Sequence, residues 1–174
     1  MRVIVLSTSL NPGSKSRVMA WEAMEALKSF GAEADFVDLQ EFPLPLAGSN
    51  HSWDDVNVKA VTERIGKADA ILMAVPIYTY DVNAAAKNLV ELTGESWEGK
   101  AVGFICAAGG MGSYMSIMGL GNSLMLDFRC LILPRFVYAT RDAWEGMAIK
   151  DEKIKARITE LSREIIRISG ALHS

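Results

Sequence analysis

Four short runs of the chain are apolar at nearly every position: 3–6, 70–75, 101–107 and most of 131–139. Unbroken, β-branched-rich runs of that length are what strands buried on both faces require. A shorter, partly polar run at 33–39 reads as another strand. Between the strands the spacing changes to the helical period. Ala20, Ala23, Met24, Leu27 and Phe30 mark a helix over 16–30 that Gly31 closes, and Val58, Val61, Ile65 and Ala68 mark a second. A third helix spans 83–92 and stops at Gly94, and a fourth spans 113–128. The last repeats Ile154, Ile158, Leu161, Ile165, Ile168 and Leu172 at steps of three and four. Pro76 is expected to stop the third strand, and Pro134 to put the fifth at a sheet edge. Residues 40–54, with Pro43, Pro45 and Gly48, are rich in turns. Five successive βα units, with no linker and no internal repeat, predict one doubly wound, three-layer α/β domain over residues 1–174.

In such a sheet, ligands bind beyond the carboxyl ends of the strands, where strand order reverses. Three loops at that edge are unusual. After the first strand, Ser7, Thr8, Ser9, Ser14 and Ser16 crowd between strand and helix, with Lys15 and Arg17 beside them. Free N–H groups at a helix start and the positive end of its dipole suit a phosphate dianion, and the hydroxyls can donate as well. The spacing is neither GxGxxG nor GxxxxGK[ST], which disfavours a dinucleotide fold or a nucleotide triphosphate loop. A plain helix cap by Ser14 or Ser16 is the simpler alternative. After the third strand, Pro76-Ile77-Tyr78-Thr79-Tyr80 can line a flat aromatic ligand, or its tyrosines can simply lid the core. After the fourth, Gly109, Gly110 and Gly112 let backbone approach a ligand closely, or merely make a flexible turn. Three such loops on one edge say more than any one of them.

Composition removes other classes. Of 174 residues, half are hydrophobic and 22% charged, which excludes a disordered chain, and a net charge of −3 with scattered lysines and arginines gives no nucleic-acid footprint. No apolar stretch approaches a membrane span, and no leader pattern precedes the first strand, so the cytoplasm is the expected location. Cys106 and Cys130 sit in separate apolar runs and read as reduced, buried thiols. The histidines, His51 and His173, both read as exposed. No His/Cys/Asp spacing indicates a metal site, and Asp38, Glu41, Asp54 and Asp55 read as solvated charges near element ends.

With these residues in view, the chain resembles the NAD(P)H-dependent FMN reductases. Thr8-Ser9-Leu10-Asn11-Pro12-Gly13-Ser14-Lys15-Ser16-Arg17 is similar to their GSLRPGSxNR phosphate loop. Pro76-Ile77-Tyr78 resembles their P-x-Y flavin loop, Ala86-Lys87 the LK that follows it, Gly109-Gly110-Met111-Gly112 their GGxGG loop, and Phe42-Pro43-Leu44-Pro45 their LPLP-like stretch. The resemblance implies a flavodoxin-like fold with a parallel five-stranded sheet in order 2-1-3-4-5 and one FMN per subunit. Ser9, Asn11, Ser14, Ser16 and Arg17 would hold the FMN phosphate end, and Pro76, Ile77, Tyr78 and Thr79 would flank the isoalloxazine. Ala108, Gly109, Gly110 and Met111 would contact it through backbone. Departures are Asn11 and Ser16 in place of the usual arginine and asparagine, Ile77 in place of a common glutamate, and Val82 to Ala85 in place of a proline-glycine.

The implied chemistry is hydride transfer from NAD(P)H to the flavin N5 and onward to a small-molecule acceptor, with no side-chain acid or base. A reductase of quinones, azo dyes or metal oxyanions is the nearer alternative, and a one-electron flavodoxin-like carrier the farther one. In the fourth helix Met115, Ile117, Met118, Leu120, Leu124, Met125, Leu126 and Phe128 surround the axis. A helix apolar on more than one face needs a second cover. The expectation is a subunit interface, in a homodimer or homotetramer, that also walls the flavin pocket; the alternative cover is the 141–150 loop of the same chain.

Overall fold

The computed structural model describes residues 1–172, so the reading of His173 as exposed lies outside the described residues. The elements in order are β1 (Arg2–Ser7), α1 (Lys15–Ser29), β2 (Glu33–Asp38), α2 (Val56–Gly66), β3 (Ala70–Tyr78), β4 (Asp81–Val82) and α3 (Ala84–Thr93). There follow β5 (Ala101–Ala107), α4 (Met118–Phe128), β6 (Leu131–Ile132), β7 (Val137–Ala139), β8 (Trp144–Glu145), β9 (Ala148–Ile149) and α5 (Glu152–Leu172). The main sheet runs β2-β1-β3-β5, with β6 and β7 both pairing parallel to β5 at the edge. Taking β6 and β7 as one interrupted strand, this is the expected 2-1-3-4-5 order of a flavodoxin-like fold.

Alternation along the strands builds two cores. Ile4 and Leu6 of β1 face one side with Ile71, Met73, Val75, Val102 and Phe104, where α2, α3 and α4 cover them. Val3 and Val5 face the other side with Ala70, Leu72, Ala74 and Ile105, under α1 and α5. Gly103 makes the close approach of α5 possible: a Cβ there would stand 2.8 Å from Leu72 and 3.2 Å from Leu161. Cys106 and Cys130 are buried and unbridged, and burial pushes both thiols up, that of Cys130 to about 11, so both stay protonated.

Four expectations need correction. Pro76 does not end β3; the strand runs on to Tyr78 and turns back through β4, with Ile77 opposite Val82. Ala74 bonds towards β1 through Thr8 N–H, and β1 has no partner beyond Ser7↔Ala74. By the strand's alternation Pro76 faces the same side one step farther on, so its missing N–H removes no ladder bond. Residues Met111–Ile117 form a 3-10 turn, with Ser113 off helical geometry, and the α-helix starts only at Met118. The strand expected over 131–139 is broken between β6 and β7 by Pro134 and by Arg135 at φ 59°. Finally, the 141–150 loop folds into the β8–β9 hairpin and sends Ala143, Trp144 and Ile149 into the α1/α5 core. It therefore lies on the opposite face of the sheet from α4 and does not cover it.

Both outer strands carry an arginine on a carbonyl that the ladder leaves free. Arg64 donates to Phe36 O at 2.7 Å beside β2, and Arg157 donates to Phe136 O at 3.0 Å beside β7.

Candidate functional site

The three loops meet at the carboxyl edge of the sheet, around the switch point between β1 and β3. Residues 8–14 follow β1. Thr8 is tied to the neighbouring loop by buried bonds: its hydroxyl lies 3.0 Å from Ala74 O and 2.9 Å from Asn83 Oδ1, and Asn83 Nδ2 donates to Thr8 O at 2.7 Å. Ser9 Oγ accepts from the Asn11 amide, and Asn11 Oδ1 accepts from the Gly13 amide at 3.0 Å, an Asx turn that aims the chain into α1. Ser14 is the N-cap, accepting from Arg17 N–H at 3.1 Å, and its hydroxyl lies 2.9 Å from that of Ser16. Among the described residues the amides of Lys15 and Ser16 meet no acceptor, as the first turn of a helix dictates.

The second loop is a tight hairpin. Thr79 and Tyr80 take left-handed backbone angles, φ 52° and 60°, and so bring Tyr78 to the cleft and Tyr80 over the third loop. The Tyr80 hydroxyl lies 3.5 Å from where a Cβ on Gly112 would stand. The third loop is held from below by Tyr138 on β7, whose hydroxyl donates to Gly110 O at 3.2 Å and bonds Ser113 Oγ at 2.6 Å. Ala108 N–H completes the sheet at Ala139 O, whereas the amides of Gly109 and Gly110 meet no acceptor among the described residues.

Between the loops lies a cleft of about 230 Å³, open to solvent on one side. Ser9, Asn11, Ser14 and Ser16 line one end, Pro76, Ile77 and Tyr78 one wall, and Ala108 and Gly109 the other. Gly13, Lys15 and Ala107 join them, and so do Arg141 and Trp144 from the segment after β7. Thr79, Gly110, Met111 and Arg17 do not line it. Arg17 turns away to an ion pair of 2.6 Å with Asp38, which is buried at the end of β2 rather than solvated. Of the other carboxylates, Asp55 caps α2 by accepting from the Asn57 and Val58 amides, and Asp54 is exposed beside His51 and Lys59. Among the described residues no carboxylate lines the cleft. Hydroxyls and free amides at one end, a tyrosine-flanked slot, and an open glycine edge fit a phosphorylated flat heterocycle such as FMN. Among the described residues no His, Cys, Asp and Glu group could hold a metal ion, and no helix is long and apolar enough to cross a membrane.

The sequence profile of the family described as NADPH-dependent FMN reductase matches residues 1–145. The chain belongs to this family. An NAD(P)H-dependent FAD/FMN reductase of Geobacillus thermodenitrificans is 24% identical over 100% of this chain and 96% of its own length. An NADPH:quinone oxidoreductase of Arabidopsis thaliana is 30% identical over 98% of this chain and 94% of its own. An oxidoreductase structure from Corynebacterium diphtheriae superposes with a TM-score of 0.79 at 15% identity, covering 98% of this chain and 97% of that one. This FMN reductase family member is thus an NAD(P)H-dependent oxidoreductase of the flavin-reductase type, with FMN and NAD(P)H as its redox partners.

Sequence reasoning counted Thr8 among the loop hydroxyls but missed that it braces the loops with Asn83 and Tyr138, and it missed Arg141 and Trp144, which line the cleft. A signal existed for Arg141: it follows the last strand at the ligand-binding edge of the sheet. The break at Pro134 concealed where that strand ends.

Proposed function

We propose that this family member binds one FMN per subunit in the cleft and passes electrons from NAD(P)H to a small-molecule acceptor, working in the cytoplasm as a homodimer or homotetramer. The carrying observation is the cleft itself, donor-rich at the α1 end and free of carboxylates. In this reading Ser9, Asn11, Ser14 and Ser16, with the amides of Lys15 and Ser16, take the phosphate, and Lys15 supplies charge. Pro76, Ile77 and Tyr78 flank the ring, while Ala108 and Gly109 meet its edge. Bound FMN supplies the hydride-accepting centre; the protein supplies position and a dry, dipolar wall. Arg17 serves the loop through Asp38 rather than the phosphate.

A bound acceptor such as a quinone is favoured by one further feature. A mostly apolar recess of about 190 Å³, lined by Leu10, Leu39, Leu44, Leu46, Ala84 and Ala85 with Asn88, whose amide is engaged by Ala47 and Pro45, lies beside the phosphate loop and suits an apolar group. The Arabidopsis relative named for quinone reduction agrees with that reading. The self-association rests on the outer face of the α4 segment, where Met111, Met115, Met118, Met125 and Leu126 are all exposed.

The test is FMN titration followed by turnover. Saturable uptake of one FMN per chain, with NAD(P)H oxidation dependent on an added quinone or free flavin, is the expected result. Absence of flavin bands after incubation and desalting would overturn the assignment.

A further inference from the structure

Two cations line the cleft, and the phosphate reading uses only one of them. Lys15 opens α1 beside the serine hydroxyls, its Nζ 5.1 Å from the centre of the Trp144 ring. Arg141 stands on another wall, as the first residue of a short 3-10 turn after β7. Its Nη2 and Nε lie 3.7 and 3.8 Å from the point where a Cβ on Gly109 would stand. Among the described residues no carboxylate pairs with Arg141, and it donates to no protein acceptor. The adjoining amides of Gly109 and Gly110 are also free. The glycine-loop edge of the cleft thus presents the Arg141 guanidinium and the Gly109 N–H, with the Gly110 N–H next in a loop that Tyr138 holds from below.

We propose that Arg141, with the Gly109 and Gly110 amides, is the electrostatic partner of the polar pyrimidine edge of the flavin and raises the reduction potential of bound FMN. The inference rests on the flavin reading above. The isoalloxazine has one polar edge and one dimethylbenzene edge, and only the polar edge has acceptors for such donors. Hydride transfer breaks the nicotinamide C4–H bond and forms a flavin N5–H bond. The nicotinamide loses two electrons and a proton, and the ring gains them, leaving it one negative charge richer. That charge resides on the N1–C2=O side of the ring, so a fixed cation there favours the reduced state over the oxidised one. An arginine suits this role because it stays charged at any working pH.

The experiment compares the wild type with Arg141→Met and Arg141→Lys, measuring affinity for oxidised FMN and riboflavin, and the midpoint potential by dye equilibration. In Arg141→Met, oxidised FMN should bind nearly as before, while the reduced-to-oxidised affinity ratio falls about tenfold, as befits one partly solvated charge. For a two-electron couple that is about 30 mV lower in potential. Arg141→Lys should retain most of the wild-type potential, and added salt should shrink the difference. If Arg141→Met does not fold, Arg141→Gln, which keeps donors without charge, should show the same shift. An unchanged potential overturns the proposal. So does a loss of affinity confined to FMN over riboflavin, which would assign Arg141 to the phosphate, or a raised KM for NAD(P)H alone, which would assign it to the incoming nucleotide. A wild type that takes up no FMN would instead strike the flavin reading itself.

Discussion

Ser14 and Ser16 allow a prediction whose size follows from counting protons. The two hydroxyls lie 2.9 Å apart, so one donates to the other, and Ser14 Oγ also accepts from the Arg17 amide. Two hydroxyls carry two protons and one is used internally, so a single hydroxyl proton remains for a phosphate oxygen, whichever serine supplies it. Ser16→Ala should therefore cost little, because Ser14 then turns its proton outward. The double change to alanine removes the one hydroxyl donor this pair offers a dianion, worth roughly 1.5–3 kcal/mol, or about 10–150-fold in FMN affinity. It also removes the cap of α1, lowering stability by about 1 kcal/mol. Riboflavin, which lacks the phosphate, should bind both variants almost as it binds the wild type. Fluorescence titration with each flavin, alongside a thermal melt, gives all three quantities. Equal losses for FMN and riboflavin would mean that the serines only cap the helix, and a full loss in Ser16→Ala alone would refute the proton count.

Introducing a charge with Met118→Asp should dissociate the assembly to a species near 19.0 kDa by light scattering; a wild type already at that mass would remove the α4 face as an interface. Asn83→Leu strips the buried Thr8 carbonyl of its side-chain donor and should lower stability by about 1–3 kcal/mol in denaturant melts, with FMN affinity falling as the two loops part. Unchanged stability would mean the clamp is idle. Asp35 is held below the usual carboxylate range chiefly by the Arg64 hydrogen bonds, against a smaller desolvation effect. A depressed folded pKa means that its stabilisation is present above the unfolded value near 3.8 and fades as pH falls through the folded value. The stability gap between wild type and Asp35→Asn should thus be widest at neutral pH and close in acid, and a gap independent of pH would contradict it.

The parallel core was legible because strands buried on both faces must be apolar at every position, and 101–107 was read to the residue as β5. The ligand edge was legible because hydroxyls and glycines collect where three such strands end. What escaped were features governed by a neighbour rather than by local pattern. Pro76 looks like a stop until β1 is seen to end one step earlier. Asp38 looks like an end-of-strand charge until Arg17 is folded against it, and Thr79-Tyr80 shows no glycine to announce a left-handed turn. The 131–139 run has the composition of one strand, but Arg135 and Pro134 divide it. Only the folded chain brings Tyr138 beneath Gly110, 28 residues away in sequence.

The arginines at the two sheet margins bear on how this protein avoids aggregating. An open five-stranded sheet has two edges where a foreign strand could extend it. Here Arg64 occupies Phe36 O on one, and Arg157 occupies Phe136 O on the other, where the β6–β7 break already interrupts the template. A strand arriving at either side finds an acceptor taken and a guanidinium in its path. The proposed self-association accordingly falls to side-chain surfaces such as the methionine face, while the guarded margins oppose lengthening of the sheet.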